Sequence, residues 1–290
     1  MKKIALTSLL AVFAAAGANA ANIIDGNPLY MPKAGHFYSE TALSSHSEHT
    51  KNWTLGEEFG YGITNKLAVS VNADLYEGAE EGPDQDDEMF DSYGLGNLAV
   101  KATFRALDMG AWKVDAYGKY ASEGATIFAH SDAGDVNKDH NFWFDKDLID
   151  YSWTAGVRGG YTTPVFTVAG HLEFVYGNTE SFNWSDEGTH AWKLGVDGQY
   201  VIDRNWNLVA GVEYTGITDD IEVAGVKVKN MGTVDTYLGV NYNIDATKYV
   251  GAFITHELDH WKGEFGEPGA EKGWGFKDGF GFGVKFGIDF

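Results

Sequence analysis

Phe280-Gly281-Phe282-Gly283-Val284-Lys285-Phe286-Gly287-Ile288-Asp289-Phe290 decides how the chain folds. Every second residue is large and apolar, and the residues between are Gly, Lys or Asp. A strand sends successive side chains to opposite faces, so this stretch has one apolar face and one small or polar face. A helix would scatter its six apolar residues around the axis.

The same alternation runs back through the sequence. Leu67–Tyr76 places Leu67, Val69, Val71, Ala73 and Leu75 on one parity and Asp74 on the other. Leu98–Ala106 alternates against Lys101 and Arg105, and Trp112–Tyr120 against Lys113, Asp115 and Lys119. Trp153–Tyr161 alternates against Arg158, and Phe166–Tyr176 against Glu173. Trp192–Tyr200 alternates against Lys193 and Asp197, Trp206–Tyr214 against Glu213, and Val234–Tyr242 against Asp235. Less regular strands are expected near 36–43, 53–63 and 249–258, making about twelve.

The connections alternate in length. Short turns are expected at 64–66, 107–110, 162–164, 202–205 and 245–247. Longer polar connections are expected at about 44–52, 77–92, 122–150, 177–189, 216–231 and 260–279. An up-and-down meander closed into a barrel has this rhythm, with tight turns on one rim and long loops on the other.

Composition narrows the class. Among 290 residues there are 42 acids and 21 bases, a net charge of −21, and no cysteine. Disulfide scaffolds and Cys-ligated metal sites are excluded. The charge balance opposes nucleic-acid binding. Lys2-Lys3, apolar Ile4–Ala16 and Ala18-Asn19-Ala20 read as a cleaved signal peptide over 1–20, which leaves 21–290 as a single domain.

Three features place the apolar face outside. Aromatics mark strand ends (Trp112, Tyr120, Trp153, Tyr161, Trp192, Trp206, Tyr242), as membrane-interface belts do. Twelve strands enclose a bore too wide for one layer of Leu and Val to fill. The opposite face is mixed in sign: Asp74, Lys101, Arg105, Lys113, Asp115, Lys119, Arg158, Glu173, Lys193, Asp197, Glu213, Asp235, Lys285 and Asp289. These are the expected lumen-lining residues. The expected fold is all-β: an up-and-down antiparallel transmembrane β-barrel with short periplasmic turns and long extracellular loops.

With its leader, alternating strands, alternating connections and terminal Phe290, the chain resembles Gram-negative outer-membrane β-barrel proteins. Tyr61–Val69 is similar to the periplasmic-turn phrase of small solute-channel barrels. The resemblance implies residence in the cell outer membrane, contact with its lipid and lipopolysaccharide, and passage of small solutes. It also implies that the barrel-assembly machinery reads Phe286 and Phe290. Glu57 departs from the pattern, sharing parity with Trp53, Leu55 and Phe59, and points to a bulge or altered register there.

Other motifs read as bland. His256-Glu257-Leu258-Asp259-His260 matches HExxH, which binds zinc when its histidines lie one helical turn apart. Here it follows a strand, where four residues span roughly 13 Å. The acid-rich loop 77–91 lacks the EF-hand glycine and terminal Glu, and reads as a solvated loop. Ser45-His46 and His49 sit in an expected loop, and the Tyr-Thr-His…Ser-Asn-Gly phrase of outer-membrane phospholipases is missing. No enzyme activity, metal or cofactor is therefore expected. The expected function is a passive channel for small hydrophilic solutes with weak cation preference. The alternative is a plugged structural barrel whose extracellular loops, especially 122–150, bind a partner.

Overall fold

A computed structural model of the protein describes residues 27–46, 49–77, 93–123, 150–178, 189–218, 221–223, 226–263, 271–272 and 279–290. The expected leader 1–20, most of the acid-rich loop 77–91 and most of the loop 122–150 lie outside them. Twelve long strands form the wall: β1 (Phe37–His46), β2 (His49–Thr64), β3 (Leu67–Glu77), β4 (Tyr93–Met109), β5 (Trp112–Glu123), β6 (Asp150–Thr162), β7 (Phe166–Asn178), β8 (Thr189–Val201), β9 (Trp206–Ile217), β11 (Val226–Asn243), β12 (Lys248–Gly263) and β14 (Phe280–Asp289). Two short strands, β10 (Ile221–Val223) and β13 (Glu271–Lys272), pair with β11 and β12. Every pairing is antiparallel, each wall strand bonds its sequence neighbours, and β14 returns to β1. The barrel is closed and has no free wall edge.

Side chains organise the short turns. Thr64 Oγ1 accepts the Lys66 N–H at 3.1 Å, and Asp203 Oδ1 accepts the Asn205 N–H at 2.8 Å. Gly110 sits at φ +72° where Asp108 accepts its N–H, a backbone conformation that favours glycine. The Thr247 N–H and hydroxyl both donate to Asp245 at 2.8 Å, which holds its carboxyl below the usual carboxylate range.

Phe282 is 54% exposed and Val284 56%, while Gly281, Gly283 and Gly287 between them are buried. The same split runs around the wall. Val157, Leu172, Leu194, Val196 and Val212 face outward; Thr154, Arg158, His171, Glu173, Lys193 and Asp197 are buried inside.

Glycines on the inner face make room for neighbouring rings. Tyr38 lies opposite Gly60, Tyr117 opposite Gly156, Tyr237 opposite Gly211 and Tyr249 opposite Gly287. A methyl group at Gly287 would stand 2.0 Å from Tyr249 Cε1, and Tyr249 is 1% exposed, so its ring has nowhere to go. Gly287→Ala is expected to cost about 1–3 kcal/mol by overpacking. A lowered denaturant midpoint in vesicles tests it, with Gly118→Ala as control, because a methyl group there meets only a backbone oxygen at 3.8 Å.

Three sequence expectations are corrected. The connection 216–231 is largely strand, since β9 runs to Ile217, β10 covers Ile221–Val223 and β11 starts at Val226. The first long connection, 44–52, is largely strand: β1 runs to His46, β2 starts at His49, and Ser44 and Ser45 pair with Thr54 and Trp53. Ser45, His46 and His49 are thus strand residues, because serine and threonine extend a paired hairpin as readily as they leave it. No bulge occurs at Glu57, which pairs in register with Thr41 and Ala73. Its carboxylate stays on the outer parity and accepts hydroxyl hydrogen bonds from Ser39, at 2.6 Å, and from Thr41.

Candidate functional site

The inner wall is a set of cross-strand charge clusters. Asp115 lies opposite Arg105 on one side and Arg158 on the other. Arg105 Nε donates to Asp115 Oδ1 at 2.7 Å, and Arg158 Nη2 to Asp115 Oδ2 at 2.8 Å. Asp115 is 0% exposed, so the two guanidiniums compensate a fully covered carboxylate. Lys113 turns to the short-turn rim and meets Asp108 at 3.2 Å. Lys101 lies opposite Lys119, with its ammonium 4.7 Å from the centre of the Tyr117 ring. The Tyr117 hydroxyl donates to Glu173 at 2.6 Å.

A second cluster spans β7 to β11. His171 Nδ1 is 3.0 Å from Asp197 Oδ2, and its Nε2 is 2.8 Å from Glu213 Oε2. Lys193 donates to Glu213 at 3.1 Å, and Tyr237 to Asp197 at 3.2 Å. Glu213, Asp235 and Glu257 then stand directly opposite one another on β9, β11 and β12, a row of three carboxylates. Lys285 lies 3.7 Å from Glu40, whose carboxylate also accepts the Tyr249 hydroxyl. Asp289 accepts the Tyr30 hydroxyl at 3.1 Å. Asp74 stands in β3 opposite Gly56, and its side chain lies outside the described residues. Basic groups therefore gather on β4–β6 and acidic ones on β9–β12.

Beside these, the structure brings in residues that sequence reading missed: Tyr38, Glu40, Glu58, His171, Tyr237 and Tyr249. They share parity with the inner face, but their partners come from strands many residues away. It also places 27–32 inside the short-turn end, with 33–35 exposed at its rim. Leu29 is 2% exposed, and its carbonyl accepts Arg105 Nη2 at 2.7 Å. The sequence signal is an apolar run, Leu29-Tyr30-Met31, held between Pro28 and Pro32 and belonging to no strand. HExxH runs along β12 in strand pairing with β11, from His256↔Thr236 to His260↔Gly232, without the helical turn that a zinc site needs.

Several inner polar atoms find no partner among the described residues. Asn207 and Asn241 face each other across β9 and β11, and Asn207 Nδ2 and both side-chain polar atoms of Asn241 are unsatisfied. Thr215 and Thr233, also a facing pair, have unsatisfied hydroxyls. Leaving such groups dry costs about 1–3 kcal/mol each.

Outside, aromatic pairs form two belts. Trp112–Tyr161 and Trp206–Tyr242 lie near the short turns, with centroids 5.0 and 4.9 Å apart. Tyr120–Trp153, at 4.6 Å, and Trp192–Tyr214, at 5.0 Å, lie towards the other end. Trp112 and Tyr120 are eight residues apart on β5. At about 3.3 Å per residue and a tilt of about 40°, the belts stand roughly 20 Å apart along the axis, close to the thickness of a membrane barrel's apolar band.

No protein-family model matches the chain, and no curated protein sequence does. Solved structures match it. The KdgM porin superposes with a TM-score of 0.52 at 8% identity, over 87% of this chain and 99% of that one. The NanC porin gives 0.52 at 9%, over 86% and 98%. An outer membrane channel from Pseudomonas putida F1 gives 0.50 at 10%, over 90% and 97%. The chain has the fold of an outer-membrane porin barrel. Identity this low speaks for architecture alone.

Proposed function

We propose that the protein is a passive outer-membrane channel for small hydrophilic solutes. The observation that carries this reading is the set of side-chain atoms with no hydrogen-bond partner among the described residues, Asn207 Nδ2, both polar atoms of Asn241, and the Thr215 and Thr233 hydroxyls, along the inside of β9 and β11. Their hydrogen-bonding demand is met when water enters the bore, and a bore that holds water passes solutes of matching size. Lys101, Lys119, Glu173, Asp197, Glu213, Asp235 and Lys285 stand on the inner parity of the wall around that path. Lys193, Asp115 and Asn241 are fully covered by neighbouring side chains. Outside, the apolar band meets membrane lipid and lipopolysaccharide. Phe286 and Phe290 face outward on the strand that closes the ring, where the assembly machinery can read them before closure.

The carboxylate row Glu213–Asp235–Glu257, in a chain with twice as many acids as bases, favours cations in a low-dielectric bore. The expected reversal potential in planar bilayers under a KCl gradient has the sign of cation preference. It is expected to shrink as salt rises, because the exposed part of the chain's acid excess is screened over about 10 Å at 0.1 M. Anion preference at low salt would contradict the charge assignment.

A second reading, a plugged structural barrel acting through its loops, is favoured by one observation: residues 27–32 occupy the short-turn end of the bore. Solute-dependent swelling of vesicles separates the two readings.

A further inference from the structure

The short-turn mouth is crossed by the chain itself. Gly35, at φ +82°, turns the backbone off the start of β1 and into the bore. The turn is fixed by the Gly35 N–H donating to the Gly62 carbonyl at 2.8 Å and the Ala34 N–H donating to Asn65 Oδ1 at 3.1 Å. The Lys33 carbonyl presses so close on β2 that a methyl group at Gly62 would lie 2.0 Å from it.

Beyond this turn the segment is tied to two distant parts of the wall. Arg105 on β4 donates to the Leu29 carbonyl, and the Tyr30 hydroxyl donates to Asp289 on β14. The Tyr30 ring packs edge-on against Tyr38, with centroids 5.8 Å apart. In the ring of strands β4 and β14 are four steps apart, through β3, β2 and β1. A segment anchored at both crosses the bore as a chord; it does not lie along one strand. Tyr30, Met31 and Pro32 line a small cavity together with Glu58, Lys101 and Arg158, so the strap faces the charged groups of the inner wall.

We propose that residues 27–35 form a built-in strap that narrows the short-turn mouth and sets the size limit of the channel. The strap rests on the channel reading above. It is held by the Leu29 carbonyl on Arg105, the Tyr30 hydroxyl on Asp289, the Tyr30 ring on Tyr38, and the turn at Gly35 with the Ala34 N–H on Asn65. Solutes small enough to pass beside it cross; larger ones are stopped at that rim. Arg105 has two duties, since the guanidinium that compensates Asp115 also fixes the strap.

The test is single-channel recording of the full chain, of a variant lacking residues 27–33, and of Met31→Cys. The chain has no cysteine, so Met31→Cys carries a single addressable thiol. Deletion is expected to raise the conductance at least about twofold and to admit larger sugars in vesicle swelling, as removal of a constriction does. If the shortened chain does not fold, Met31→Cys still decides: coupling a bulky, uncharged thiol reagent there is expected to reduce the current at least about twofold. Unchanged conductance in both variants, with the parent conducting, overturns the strap and leaves the channel standing. No conductance from parent or deletion, both folded, overturns the channel reading and the strap with it. A silent parent and a conducting deletion overturn the size limit, because the segment then closes the bore and the plugged reading stands.

Discussion

Asp115→Ala is expected to destabilise the barrel by about 3–5 kcal/mol, because it leaves two buried guanidiniums facing each other without their shared counter-charge. Arg105 and Arg158 are 5% and 8% exposed, so water can rehydrate neither without opening the wall. The loss is larger than that from a rim pair such as Lys113–Asp108, which is half-exposed and worth about 0–1 kcal/mol. Guanidinium unfolding in vesicles measures it. The companion variant Arg105→Met/Asp115→Leu/Arg158→Met removes the whole cluster and is expected to recover most of the loss, since matched apolar groups replace a buried ion cluster at little cost. An Asp115→Ala barrel as stable as the parent would mean that this cluster is solvated, against the burial of its three side chains.

Leu194→Arg is expected to cost about 2–4 kcal/mol, the penalty for a cation near the midplane on the lipid face of a barrel. Leu194 is 53% exposed, sits mid-way along β8, and has Leu172 and Tyr214 beside it. In a water-soluble barrel the same exposed position would accept arginine within about 0.5 kcal/mol. The sign of the apolar surface is thus read from one substitution. Arg204→Glu, in the exposed turn between β8 and β9, serves as control and is expected to stay within about 0.5 kcal/mol. Equal stability of Leu194→Arg and the parent in lipid would contradict an outer face buried in hydrocarbon.

The wall is legible in the sequence because period-two alternation is a local property. Each strand announces its two faces through residues such as Val168, Ala169 and Gly170 without reference to its neighbours. Closure is legible for a different reason: the even strand count and the rhythm of turns leave β1 and β14 side by side. What is not legible depends on register. Tyr249 and Gly287 are 38 residues apart, and nothing local says that a ring at one position needs a hydrogen at the other. Asp115 and Arg158 become partners only once β5 and β6 are aligned to the residue. Glu57 misleads because its partners, Ser39 and Thr41, lie on another strand and satisfy it on the outer face. The strap is missed for a further reason. Its key contact is a backbone carbonyl, that of Leu29, and a carbonyl carries no side-chain signature.

An interior that takes up water while its ion clusters hold the wall apart is the claim on which the functional reading stands, and vesicle swelling tests it most directly. Purified protein in vesicles, challenged with a pentose, a disaccharide and a tetrasaccharide, is expected to give swelling rates that fall in that order, with the pentose well above protein-free vesicles. Folded barrels that admit none of the three would contradict it.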